Sequence, residues 1–230
     1  MLAALSSCAP DFEGKGSSCP SFERLVDFSD GEAQGFHFAD GYANGGPFNC
    51  YFRRAAGDIS GGTLSLSVYE EGSGTYAGGE YRSYQSYGYG YYSTRLKAAD
   101  CPGVITSFFL YTHYPVWDEI DIEILGKNMN EVQFNYYTDG RGGHEYVHRL
   151  GFNAAQDFHD YGFLWLPESI TWYVDGVAVY QATVNLPSHP QQIMMNVWNC
   201  RDHDLWSGRF DPSRLPVKGQ YEYIGYSPAN

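Results

Sequence analysis

The segment Trp117–Gly126, WDEIDIEILG, constrains this chain more than any other. Glu119, Asp121 and Glu123 alternate with Ile120, Ile122 and Ile124. Successive side chains on a β-strand point to opposite faces, so the isoleucines take a core face and three carboxylates share the other. Like charges on neighbouring same-face positions repel, and no cation is interleaved to relieve them. Such crowding raises at least one carboxyl pKa, which is how a carboxylic acid stays protonated near neutrality. The segment reads as a chemically committed strand with a buried back.

The rest of the chain supplies similar strands. From about Ser21 onward, short alternating runs are separated by turn residues, with no sustained helical period, which predicts an antiparallel sandwich. Leu64, Leu66 and Val68 alternate with polar residues over Thr63–Tyr69, and Ser169–Thr183 divides at Asp175-Gly176, a hairpin turn. Val132, Phe134 and Tyr136 alternate with Gln133, Asn135 and Tyr137, while Ile193, Met195 and Val197 alternate with Met194, Asn196 and Trp198. Phe109 and Tyr111 share one side of another strand. Asn, Gln, Tyr and Trp on an outward face are neutral hydrogen-bonding and stacking groups matched to sugar hydroxyls and ring faces. The 21 Tyr, 14 Phe and 5 Trp fit that reading. With no internal repeat and no linker, 1–20 is an irregular N-terminal extension and 21–230 one all-β domain.

Charge and cysteine content narrow the partners. A formal net charge of -13 argues against nucleic acid, which needs a basic face. No apolar run is long enough for a membrane span, and a monomer is expected. Leu5-Ser6-Ser7-Cys8 matches a bacterial lipoprotein cleavage box, so an extracellular or cell-surface protein, lipidated at Cys8, is one expectation. Five cysteines leave at least one unpaired in a monomer, and their spacing fits no zinc motif.

Paired carboxyls on a groove strand suit glycoside hydrolysis. In the retaining reaction they stand about 5–5.5 Å apart, one as nucleophile and the other as acid and then base. Residues i and i+4 on an ideal strand have Cα atoms about 13–14 Å apart, so the tips must converge, and spacing alone does not separate retaining from inverting. Asp121, between them, can hydrogen-bond one glutamate and keep the two protonation states apart. Three carboxylates could instead hold calcium, although calcium sites favour Gly-bearing loops over regular strands. No HExxH, G-x-S-x-G or P-loop motif occurs.

At this strand a resemblance becomes specific. WDEIDIEILGK (Trp117–Lys127) resembles the signature of glycoside hydrolase family 16, above all its bacterial lichenase branch. ADGYANGGPFNC (Ala39–Cys50), EYRSYQSYGYGYY (Glu80–Tyr92), SFFLYT (Ser107–Thr112), VQFNYYTDGRGGHE (Val132–Glu145), ITWYVDG (Ile170–Gly176) and IMMNVWN (Ile193–Asn199) extend it from about Ser21 to Tyr226. The resemblance implies a curved β-jelly roll with an open cleft across its concave sheet. It implies endo-hydrolysis of mixed-linkage β-1,3-1,4-glucan with retention, Glu119 matching the nucleophile, Glu123 the acid/base and Asp121 the assisting carboxylate. Tyr42, Asn44, Phe48, Glu80, Arg82, Phe109, Tyr111, Trp117, Asn135, Tyr137, Asn196 and Trp198 match glucan-binding positions, and Gln133 lies on the same face. A xyloglucan hydrolase or transglycosylase on the same scaffold, or a non-catalytic glucan-binding protein, are the alternatives.

Three departures stand out. Lichenases often join the Cys50 position to a cysteine where this chain has Gly78, so the usual disulfide is not expected. Thr112–Val116, THYPV, is a shortened loop before Trp117. The resemblance implies no cofactor for catalysis and a possible structural calcium, which the family often binds mainly through backbone carbonyls; the acidic position in its last strand is matched here by Glu222 rather than Asp.

Overall fold

The computed structural model describes residues 16–31 and 33–229; Cys8 and the start of the N-terminal extension lie outside them. Among the described residues sixteen strands, β1 to β16 in chain order, form two antiparallel layers. The concave layer runs β11 (Tyr146–Arg149), β10 (Glu131–Tyr137), β9 (Glu119–Leu125), β8 (Val104–Tyr111), β15 (Gln191–Asn199), β6 (Thr75–Tyr87) and β2 (Phe36–Phe38). The convex layer contains β4 (Gly57–Ser60), β5 (Thr63–Gly72), β16 (Val217–Pro228), β7 (Gly90–Lys97), β12 (His159–Leu166), β13 (Ser169–Val174) and β14 (Val177–Ala182), with β1 (Glu23–Asp27) on β16. Pairing of β5 with β6 joins the layers, and the short β3 (Tyr51–Phe52) adds to β6 in parallel. This is the curved, all-β sandwich expected from the sequence.

Alternation does what it predicted. Ile120, Ile122 and Ile124 are buried in the main core with Val132, Phe134, Ile193, Met195, Val197, Leu64, Leu66 and Val68. Asp175 and Gly176 have φ of 47° and 76°, the left-handed pair that a two-residue hairpin between β13 and β14 demands. A Cβ on Gly126 would lie 1.7 Å from the carbonyl oxygen of Cys101, so only glycine lets the chain leave β9 there.

The convex layer also pins the concave one by polar contacts. The Trp172 indole on β13 donates to the carbonyl of Asp121 at 3.1 Å. The Tyr221 hydroxyl on β16 lies 3.0 Å from the Ser107 carbonyl and 3.3 Å from that of Asn196. These bonds satisfy buried carbonyls and fix the backbone beneath the acidic strand.

The extension is less irregular than expected near its end. Ser18 pairs with Val177 at the edge of β14, and Ala178 N–H donates to Ser17 O at 2.8 Å. A strand edge offers unpaired backbone groups, and this segment uses them. No helix among the described residues is long and apolar enough to cross a membrane.

Candidate active site

Strand register sets the concave face in rows. Tyr137, Glu119 and Tyr111 lie side by side across β10, β9 and β8. The next row is Asn135, Asp121, Phe109, Met194, Arg82 and His37, reaching the edge strand β2. The third is Gln133, Glu123, Ser107, Asn196 and Glu80. Three carboxylates thus sit together on β9 in a floor whose other members are mostly amides and aromatic rings, with the Glu80 carboxylate and the Arg82 guanidinium toward β6.

The environments of those carboxylates differ. Trp117, in the left-handed region at φ 51°, stacks on Tyr137 at 5.2 Å and donates its indole N–H to Glu119 Oε2 at 2.7 Å. Burial pushes Glu119 up to about 7, against the Trp117 indole and a hydrogen bond with Asp121, both of which favour the ionised form. Burial and the charge of Glu119 push Glu123 up to about 8, opposed by the Gln133 amide, which donates to Glu123 Oε2 at 2.9 Å. Asp121 is raised well above the ordinary carboxylate range, by burial first and then by the charges of Glu119 and Glu123. Burial leads in all three cases, ahead of the mutual repulsion that the sequence suggested. Glu119, with two donors, is held the more readily as a carboxylate, and Glu123 the more readily as an acid.

A second polar group lies toward β6. Glu80 is 1 % exposed and accepts from the Tyr42 hydroxyl; its carboxylate lies 3.5 Å from Arg82 Nη1 and from Asn196 Nδ2. Arg82 also sits over the Tyr42 ring. Asn135 Oδ1 and Asn196 Oδ1 are buried with no hydrogen-bond partner within the described residues. Buried acceptors facing a groove without partners are groups that ligand hydroxyls would satisfy.

The predicted binding residues divide by position. Asn44 is exposed on the loop between β2 and β3. Trp198 is 4 % exposed, stacked under Phe48 at 3.9 Å and close to Trp206 at 6.0 Å, so it supports the floor and offers no free face. With Phe52, Cys50 and Cys200 these rings form a second small core that fastens the loop before β3 to the sheet.

Several site residues were not anticipated. Trp206, in the single helical turn α1 (Asp204–Ser207), donates to Gln133 Oε1 at 3.1 Å and so orients the amide that meets Glu123. His113 of the shortened loop lies 2.5 Å from Gln192 Oε1, and the charge of Glu145 acts on Asp121 and Glu123. Irregular segments carry no periodicity to reveal such contacts. His37 is different: flanked by two core phenylalanines, it could have been read as facing the groove.

Two places test for a metal. Asp118, Asp139 and His189 have ligand-type atoms within 4.8 Å of one another. The fully buried Asp118 carboxylate, however, already accepts from the backbone N–H groups of Asp139, Ser188 and His189, at 3.0, 2.9 and 3.1 Å, and the His189 ring lies 2.9 Å away. Burial raises its pKa, but these donors outweigh that and hold it below the ordinary value. This carboxylate ties two loops behind Trp117. At the position matched to the family's calcium residue, the Glu222 side chain is engaged in an ion pair, Oε2 to Arg95 Nε at 2.9 Å, and Arg95 also meets Asp160 at 3.0 Å. Cys50, Cys19, Cys101 and Cys200 are free thiols.

A row of carboxylates at the centre of a long amide- and aromatic-lined groove on a curved antiparallel sheet defines a glycoside hydrolase. The chain belongs to glycosyl hydrolases family 16, whose sequence pattern matches residues 44–215. It is 45% identical to a beta-glucanase of Acetivibrio thermocellus over 226 residues, 96% of this chain and 67% of that protein. It is 47% identical to a beta-glucanase of Paenibacillus polymyxa over 193 residues, 82% of this chain and 81% of that one. Among solved structures it resembles a prokaryotic beta-1,3-1,4-glucanase (lichenase) from a mouse hindgut metagenome, with TM-score 0.85 and 43% identity, covering 89% of this chain and 98% of the other. The Bacillus licheniformis beta-glucanase gives TM-score 0.86 and 41% identity, with 88% and 97% covered.

Proposed function

We propose that this chain cleaves mixed-linkage β-1,3-1,4-glucan internally, by double displacement with retention at the anomeric carbon. The observation that carries the mechanism is the unequal environment of two glutamates on one strand, Glu119 with two donors and Glu123 with one. Glu123 protonates the departing glycosidic oxygen while a Glu119 oxygen attacks the anomeric carbon, giving a glycosyl ester. The Glu123 carboxylate then takes a proton from water as that water attacks the same carbon and releases Glu119. Asp121, kept protonated by its surroundings, donates to Glu119 and orients it.

The substrate assignment is supported by relatives bearing the beta-glucanase name and by a groove floor without a strong net charge beyond the carboxylates. Tyr42, Asn44, Phe48, Glu80, Arg82, Phe109, Tyr111, Trp117, Gln133, Asn135, Tyr137, Asn196 and Trp198 line or support the path of a neutral glucan, and its polymeric nature places the work outside the cell. A merely glucan-binding protein has no use for three crowded carboxylates. Glu119→Gln should lower turnover of barley β-glucan by about three orders of magnitude while leaving glucan binding intact. Full activity in that variant overturns the assignment of Glu119, and release of reducing sugar from xyloglucan but not from barley β-glucan overturns the substrate.

A further inference from the structure

The groove floor does not stop at Arg82. On the edge strand β2, Phe36 and Phe38 enter the core, so His37 faces the concave side, directly opposite Arg82 in register. Arg82 Nε donates to His37 Nε2 at 3.2 Å, and the His37 ring lies against the ring of Tyr84, centroids 4.1 Å apart and planes 14° from parallel. Tyr84 is nevertheless 65% exposed, among the most exposed large aromatic side chains of the described molecule. One face of its ring is held by His37 and the other is open. The buried His37 Nδ1 beside it has no hydrogen-bond partner within the described residues.

An exposed tyrosine costs rotamer freedom to hold still, and nothing about folding requires this one. Stacked on His37, it is already ordered, so a sugar ring that packs on the open face gains contact without that ordering cost. The β6–β15 register shifts between Gln192 and Met194, and Tyr84 N–H donates to the Gly35 carbonyl at 2.8 Å, just before β2. Tyr84 therefore shares the concave face of β6 with Arg82, beside the row that begins at Asn135 and passes Asp121, Phe109, Met194 and Arg82.

We infer that Tyr84, seated on His37, is a stacking platform for a distal glucosyl unit, extending the glucan path past Arg82 to the edge of the sheet. This rests on the β-glucan reading above. Neighbouring strands lie roughly 4.8 Å apart, so β6, which carries Tyr84, stands about 14 Å from β9, a span of nearly three sugar rings. Only substrates long enough to cross that distance touch Tyr84.

The test compares Tyr84→Ala, Tyr84→Phe and wild type on a series of mixed-linkage oligosaccharides of increasing length and on barley β-glucan. In Tyr84→Ala the ratio of kcat/KM for long to short substrates should fall about fivefold, carried by KM, with Tyr84→Phe close to wild type and thermal unfolding unchanged. Calorimetric binding of a long oligosaccharide to Glu119→Gln, with and without Tyr84→Ala, reads the same loss without turnover. A length dependence identical in wild type and Tyr84→Ala, with unaltered binding, overturns the platform. Wild type failing to cleave any β-glucan while still losing long-oligosaccharide affinity on Tyr84→Ala overturns the catalytic reading and keeps the platform.

Discussion

Replacing Gly78 with cysteine sets a second thiol against a buried one. A Cβ built on Gly78 lies 3.5 Å from Cys50 Cβ and 2.7 Å from Cys50 Sγ. The first distance is at the short end of the range found in disulfides, where Cβ atoms stand about 3.5–4.5 Å apart. The second is a clash for two separate residues, and only a bond turns it into a normal contact. The cross-link would close a loop of about 28 residues, for which chain entropy gives about 3.5 kcal/mol at most. At about 2–4 °C per kcal/mol for a chain of this size, oxidised Gly78→Cys should melt roughly 7–14 °C above wild type. Reduced, it should melt below wild type, because the side chain must push aside Cys50 and the Val197 carbonyl, 3.0 Å away. Thermal melts with and without reductant, paired with thiol titration, read both signs. If the oxidised variant keeps both thiols titratable, or if reductant leaves its melting point unchanged, the geometric argument is wrong.

Three further outcomes follow from the acidic strand and its surroundings. With Glu119 near 7 and Glu123 near 8, kcat/KM should be bell-shaped, falling in acid as Glu119 is protonated and in alkali as Glu123 loses its proton, the two limbs belonging to the coupled pair. Gln133→Leu removes a donor that favours ionised Glu123, so the alkaline limb should move to higher pH; a limb that stays put or moves down refutes that role. Asp118→Ala leaves the Asp139, Ser188 and His189 N–H groups without an acceptor and should cost about 3 kcal/mol, seen as a lower midpoint in denaturant titration. A midpoint within error of wild type means that these loops are held by other contacts.

Periodicity made part of this molecule legible. Three isoleucines were enough to place Glu119, Asp121 and Glu123 on one face, and Asp175-Gly176 was enough to place a hairpin. The rows across the groove were not legible, since they depend on which strands are neighbours, and β8 meets β15 and β15 meets β6 only through long-range pairing. Trp206 reaches Gln133 from a helical turn that no pattern announces. Alternation and the family resemblance both assign Trp198 to the floor, but the loop carrying Phe48 folds over it. Glu222 matched an acidic position, yet register on the convex layer sets Arg95 against Asp160, and that guanidinium takes the glutamate as well.

The central claim is that Glu119 and Glu123 divide nucleophile and acid between them on one strand. Proton NMR of the first hemiacetal released from a mixed-linkage oligosaccharide, recorded before mutarotation, tests it most directly. Double displacement predicts that the new reducing end appears first as the β anomer. First appearance of the α anomer would mean a single displacement by water, and would contradict the role given to Glu119.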